Sequence, residues 1–221
     1  MDKKGEMIGM IIDIEWDMFT SVNKGEARAG CQEDRKTFSG MRSAQFDVWS
    51  GDALEFYLCD LQKARQDGRN LIEEKYIHMM KNTEPSHYNE LLPRVTLPSD
   101  AALSLAHEIS DALVEQTRVL FKDYPYVSSL GRPLYSTQDD SCISVETYQF
   151  CELLTYSEKT LPALKECIRA LENEGISYAR QVLENTVRFY GYDSLDSAEA
   201  ASRRKRSFRI EDSHEGHPAW K

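Results

Sequence analysis

The sequence predicts an all-α protein, a single helical-bundle-like domain of about eight or nine helices with a disordered C-terminal tail. Three observations predict it. Apolar residues recur at helical spacing through almost the whole chain, and β-like alternation is nearly absent. Capping residues such as Asp34, Asn70, Ser99 and Ser144 open the periodic stretches, while Gly68, Gly175 and Gly191 close them. From Ser207 onward the chain is charged, holds Gly and Pro and loses its period, so the domain is drawn over 1–206 and the tail over 207–221.

The first helix, Met7–Val22, carries Ile8, Ile12, Glu15, Phe19 and Val22 on one face, so a glutamate sits inside an apolar stripe. After a Gly-containing connection, Asn23–Glu33, Asp34 caps a second helix reaching Trp49. Its stripe is Phe38, Arg42, Gln45 and Trp49. The third runs from Asp52 to Asp67, with Leu54, Tyr57, Leu58, Leu61 and Ala64 inward. Asn70 and Glu73 form a capping box for Leu71–Asn82. Pro85 starts a short helix to Leu92, stopped by Pro93. Ser99 or Asp100 caps a long helix to Asp123, lined by Leu105, Ile109, Leu113, Gln116 and Leu120.

Tyr124–Cys142 is the long irregular segment of the domain, and loops of that length are often functional. In one reading its Arg132, between Gly131 and Pro133, swings over a neighbouring site as part of a gate; in the other the segment is a surface loop packed by Leu130, Leu134 and Tyr135. Ser144 caps a helix to Tyr156 with Val145, Tyr148, Glu152 and Tyr156 on one face, a second stripe holding a glutamate. The next helix is lined by Leu161, Leu164, Ile168 and Leu171. The one after it starts at Ser177 with Val182, Leu183, Thr186 and Tyr190 inside, and a polar last helix fades near Arg206.

A chain of 221 residues with 41% hydrophobic residues can bury a full core. Its formal net charge of −10 argues against general nucleic-acid binding, and the basic run Arg203–Arg206 reads as a solvated tail. No apolar run is long enough to cross a membrane, and Asp13, Glu15 and Asp17 interrupt any signal-peptide core, so a cytoplasmic home is expected. None of the five cysteines shows the two-residue spacing of a zinc or redox motif. Cys59 and Cys167 read as small core residues.

Burying a carboxylate or a guanidinium is expensive unless it is paired, so Glu15, Arg42, Gln45 and Glu152 form the leading constellation. In one reading it is an internal ion-pair network that fixes helix register. In the other it lines a pocket for a small anionic or zwitterionic metabolite, with Arg42, Gln45, Arg132, Trp16 and Trp49 as the substrate-binding residues. Glu15 or Glu152, its pKa raised by desolvation, would then transfer a proton, and Tyr156 beside Glu152 would assist. Cys31, near Arg28 and a helix N-terminus, is a candidate nucleophile whose plainer role is a structural thiol. Two further readings remain open: a carboxylate-rich metal centre from Glu15, Glu74, His78 and Glu152, and a non-catalytic interaction module partnering another enzyme. No Walker or dinucleotide pattern occurs, so the cofactor is left unknown and nucleotide binding through an Arg-lined helical pocket stays open.

Several stretches carry a family resemblance: IEWDMF from Ile14, ARAGCQED from Ala27, MRSAQFDVW from Met41, GRNLIEEKY from Gly68, GRP from Gly131, ETYQFCELLTYSEKTL from Glu146 and ENTVRFYGY from Glu184. On these the chain resembles an uncharacterised bacterial all-helical family, the domain of unknown function numbered forty-one twenty-five. The resemblance spans Ile14–Glu199 and implies an all-helical cytoplasmic bacterial protein without importing a reaction. Phe150-Cys151 stands where the family pattern has Arg-Gly, which weakens an anion-binding role for that helix.

Overall fold

The computed structural model describes residues 2–22, 30–136 and 143–214. Among them the chain is helical without a strand: α1 (Lys3–Ser21), α2 (Arg35–Phe46), α3 (Gly51–Gln66), α4 (Leu71–Thr83), α5 (Pro85–Leu91), α6 (Asp100–Asp123), α7 (Pro125–Ser128), α8 (Val145–Leu153), α9 (Thr160–Asn173), α10 (Tyr178–Phe189) and α11 (Leu195–His214). Single 3-10 turns occupy Gly30–Gln32 and Leu92–Arg94. The eleven α-helices among the described residues exceed the expected eight or nine; the seven-residue α5 was read from Pro85, whereas the four-residue α7 lies inside the segment read as irregular.

Local chemistry starts and stops these elements. The side chains of Asp34, Asn70, Ser99, Ser144 and Ser177 each accept a backbone N–H from the first turn of their helix. Asp2 does the same for α1, which therefore begins four residues before Met7. At the three helix ends read from glycine, Gly68, Gly175 and Gly191 have φ of 71°, 73° and 86°. The residue after each glycine donates back across the last turn: Arg69 to Ala64, Ile176 to Leu171 and Tyr192 to Val187.

The core gathers around α1. That helix packs on α2, α3 and α4, and α9 covers α3. Ile11, Phe46, Leu54 and Leu61 are wholly buried there, each contributing about 1.5–3 kcal/mol. Helix α8 lies between α4 and α6, and α10 joins α2 to α6. The seam between α2 and α10 is close. A Cβ added at Gly40 would fall 2.1 Å from a ring carbon of Phe189. A smaller cluster of Leu120, Tyr124, Val187, Leu195 and Ala198 anchors α11.

Some boundaries and faces depart from the pattern. Helix α2 ends at Phe46 because Ser50 caps α3, so Trp49 sits in the turn between them rather than on a helical face. Helix α8 ends at Leu153, leaving Tyr156 in the following turn. Cys59 is exposed because α3 buries Ala53, Leu54, Tyr57, Leu58, Leu61 and Ala64, whereas Cys167 is buried as expected. Tyr190, expected inside, is 55% exposed at the end of α10.

The segment read as a loop contains α7, whose Tyr126 and Val127 N–H groups donate to the Glu199 carboxylate on α11. Further on, the Pro133 and Leu134 carbonyls accept from Val145 and Glu146 at the start of α8, so this part of the segment is fastened rather than free. Helix α11 continues to His214, past Arg206, and 215–221 lie outside the described residues.

Candidate functional site

Glu15 and Arg42 meet at the centre of the α1–α2 contact. Arg42 grips Glu15 with two hydrogen bonds, from Nε at 2.7 Å and from its terminal nitrogen at 2.5 Å. The other terminal nitrogen reaches Gln45 at 2.8 Å and Glu152 of α8 at 3.0 Å. Tyr57 donates to Glu15 at 2.7 Å and Tyr156 to Glu152 at 2.8 Å. Lys75 of α4, almost wholly buried, completes the group with bonds to Glu152 at 3.2 Å and to the Tyr148 hydroxyl at 2.8 Å. Two carboxylates and two cations thus cancel in a desolvated space, the condition under which buried charge is tolerated.

The electrostatics differ from the raised carboxyl that burial alone suggests. Desolvation pushes the Glu152 carboxyl up, but Arg42, Lys75 and the Tyr156 hydrogen bond outweigh it and hold the group well below the usual carboxylate range. Glu152 is therefore an ionised acceptor and not a poised proton donor. Burial also works against charge on Lys75, and Glu152 reverses that effect, keeping the ammonium protonated. Burial, reinforced by the nearby carboxylates, raises both Tyr57 and Tyr156, so each stays a neutral phenol with its proton engaged.

Beside this cluster lies a cavity of about 840 Å³, within the size range of small-molecule sites. Most of its wall is apolar, with Leu113, Leu120, Val182 and Leu183 among the lining residues. One polar corner is built from Gln45, Tyr148, Glu152, Tyr156 and Arg132. Arg132 stacks over Tyr148, its guanidinium carbon 4.8 Å from the ring centroid, and donates to the Ile143 carbonyl at 3.1 Å.

Sequence-predicted residues fall on both sides of a boundary. Gln45, Glu152, Tyr156 and Arg132 line the cavity. Glu15, wholly buried, and Arg42 lie behind it, outside its lining. Arg42 has turned its donors inward, which removes it as the direct grip on a ligand. Trp16 packs edge-on against Phe38, and Trp49 is 1% exposed with its indole N–H on the Tyr178 hydroxyl at 2.7 Å; neither lines the cavity. Cys31 belongs to the Gly30–Gln32 turn, but its side chain lies outside what is described.

The four proposed metal ligands do not assemble. Glu15 is taken by Arg42, Glu74 pairs bidentately with Arg69, and no group of three or more His, Cys, Asp or Glu suited to a metal occurs among the described residues. Sequence reasoning missed Lys75 and the role of Tyr148. Lys75 follows Leu71 by four residues and precedes His78 by three, so its stripe was visible. The apolar residues all around α4 hid which face was inward.

These features define an all-helical protein with a neutral buried ion cluster backing a ligand-sized cavity. The chain belongs to the family described as protein of unknown function (DUF4125), which matches residues 5–200. No curated protein and no solved structure matches the chain. No described helix is long and apolar enough to cross a membrane.

Proposed function

We propose that the protein binds a small, partly apolar metabolite bearing an anionic or zwitterionic head, as a metabolite-binding protein or a small-molecule enzyme. The observation that carries this reading is the cavity of about 840 Å³ whose apolar wall meets one convergent polar corner. In this reading the buried cluster is the support, and Gln45, Tyr148 and Arg132 supply the contacts. Glu152 serves as a fixed acceptor rather than as an acid, because Arg42 and Lys75 hold it ionised. A cytoplasmic location fits the free thiols of Cys59, Cys151 and Cys167.

Native mass spectrometry of freshly purified protein tests the reading. The expected result is a co-purifying small molecule that is lost in Leu183→Trp, a variant that fills the cavity. A protein that carries no small molecule and gains no thermal stability from a metabolite library would overturn it.

A further inference from the structure

The polar corner has a defined donor direction. An ammonium can only donate, so in the Lys75–Tyr148 contact of 2.8 Å the phenol oxygen is the acceptor. The Tyr148 proton is then left for another partner, and among the described residues no second hydrogen bond takes it. Tyr148 lines the cavity. Above it, Arg132 uses one terminal nitrogen on the Ile143 carbonyl and has no carboxylate in ion-pair range among the described residues. Lys205 of α11 adds a second cation to the lining, likewise without an ion pair there.

The carboxylate in the same corner is already engaged. Glu152 receives Arg42, Gln45, Tyr156 and Lys75, so it has little left for an incoming ammonium group. The unspent groups beside Glu152 are the Tyr148 hydroxyl and the Arg132 guanidinium, facing a wall that is mostly apolar.

Resting on the reading of the cavity as a ligand site, we propose that its ligand is an amphipathic carboxylic acid whose carboxylate is held by the Tyr148 hydroxyl and the Arg132 guanidinium. Lys75 is the positioning residue: it occupies the phenol oxygen and so aims the remaining proton at the ligand. A guanidinium fork and one O–H match the two oxygens of a carboxylate. The ligand's hydrocarbon or aryl body lies against Leu113, Leu120, Val182 and Leu183.

Isothermal calorimetry with 4-phenylbutanoate, 4-phenylbutanol and 4-phenylbutylamine tests the head group on a constant body. The carboxylate is expected to bind at least tenfold tighter than the alcohol and the amine. Tyr148→Phe and Arg132→Ala should each erase that preference by weakening the carboxylate at least tenfold; the melting temperature should stay unchanged in Arg132→Ala and fall in Tyr148→Phe, which takes an acceptor from the buried Lys75 ammonium. Equal binding of all three probes overturns the carboxylate site and leaves the cavity reading intact. Preference for the amine overturns it in favour of Glu152 as the recognition group. If none of the probes binds, the carboxylate proposal falls, and the cavity reading is judged separately by the native mass spectrum and the Leu183→Trp variant.

Discussion

The buried cluster and the cavity corner share Glu152, yet their polar groups are in opposite conditions. Around Glu15 the major donors and acceptors have partners, and opposite charges cancel. A few ångströms of side chain away, Tyr148 keeps a proton and Arg132 a positive charge without a carboxylate among the described residues. A satisfied cluster stabilises a shape, whereas unspent donors facing a cavity are available to a ligand. In the proposed reading, the difference separates architecture from recognition within one set of contacts.

The largest break in that comparison comes from Arg42→Met. Removing the shared cation strands the buried Glu15 carboxylate, leaves Glu152 with Lys75 alone as its cation, and should cost about 3–5 kcal/mol in urea unfolding. A loss below about 1 kcal/mol, the level of ordinary surface pairs, would mean that the cluster is solvated. Next in size is Gly40→Ala, which drives a methyl into Phe189 and should cost about 1–3 kcal/mol, with Phe189→Leu in the same chain restoring part of it. If Gly40→Ala alone is neutral, the α2–α10 seam is looser than described.

Acid should separate the regions too. The Glu152 carboxyl is lowered in the folded state from an ordinary value of 4.5, so its contribution is present above about pH 4.5 and is lost as pH falls toward the folded value. Lys75 is raised above its ordinary 10.5, so its contribution is present below that pH and fades as pH rises further. Melting temperature should therefore hold level between these limits and drop below about pH 4.5, and Glu152→Gln should flatten the acid limb. The smallest effect on stability belongs to Arg132→Ala, within about 0.5 kcal/mol for an exposed side chain. That same change should weaken a carboxylate ligand of the cavity by more than tenfold, which calorimetry on the variant would register.

The sequence makes some of this legible and hides the rest. Helix class, caps and glycine stops are local, set by residues within a turn or two, and they read correctly. The Glu15–Arg42 contact was also readable, since each breaks an apolar stripe at its midpoint and only the other's charge makes that tolerable. Trp49 misled because helical spacing was continued across the break at Ser50, where a capping hydroxyl restarts the chain. Lys75 was hidden by apolar neighbours on both sides of α4. The cavity was illegible because it is bounded by α6, α8 and α10, and the sequence pattern of each shows which face is apolar without showing where two such faces fail to meet.

Glu152 also bears on the order in which the chain can become native. Its partners Arg42 and Lys75 lie 110 and 77 residues earlier. Until α8 has been synthesised, the cluster consists of two cations, Arg42 and Lys75, and the one carboxylate of Glu15, while the other buried carboxylate of that part, Glu74, is paired with Arg69. The cluster is then electrically incomplete, and an unpaired buried cation weighs against a stable amino-terminal fragment. Fragments ending before α8 should therefore be more protease-sensitive than the full chain, which limited proteolysis would register.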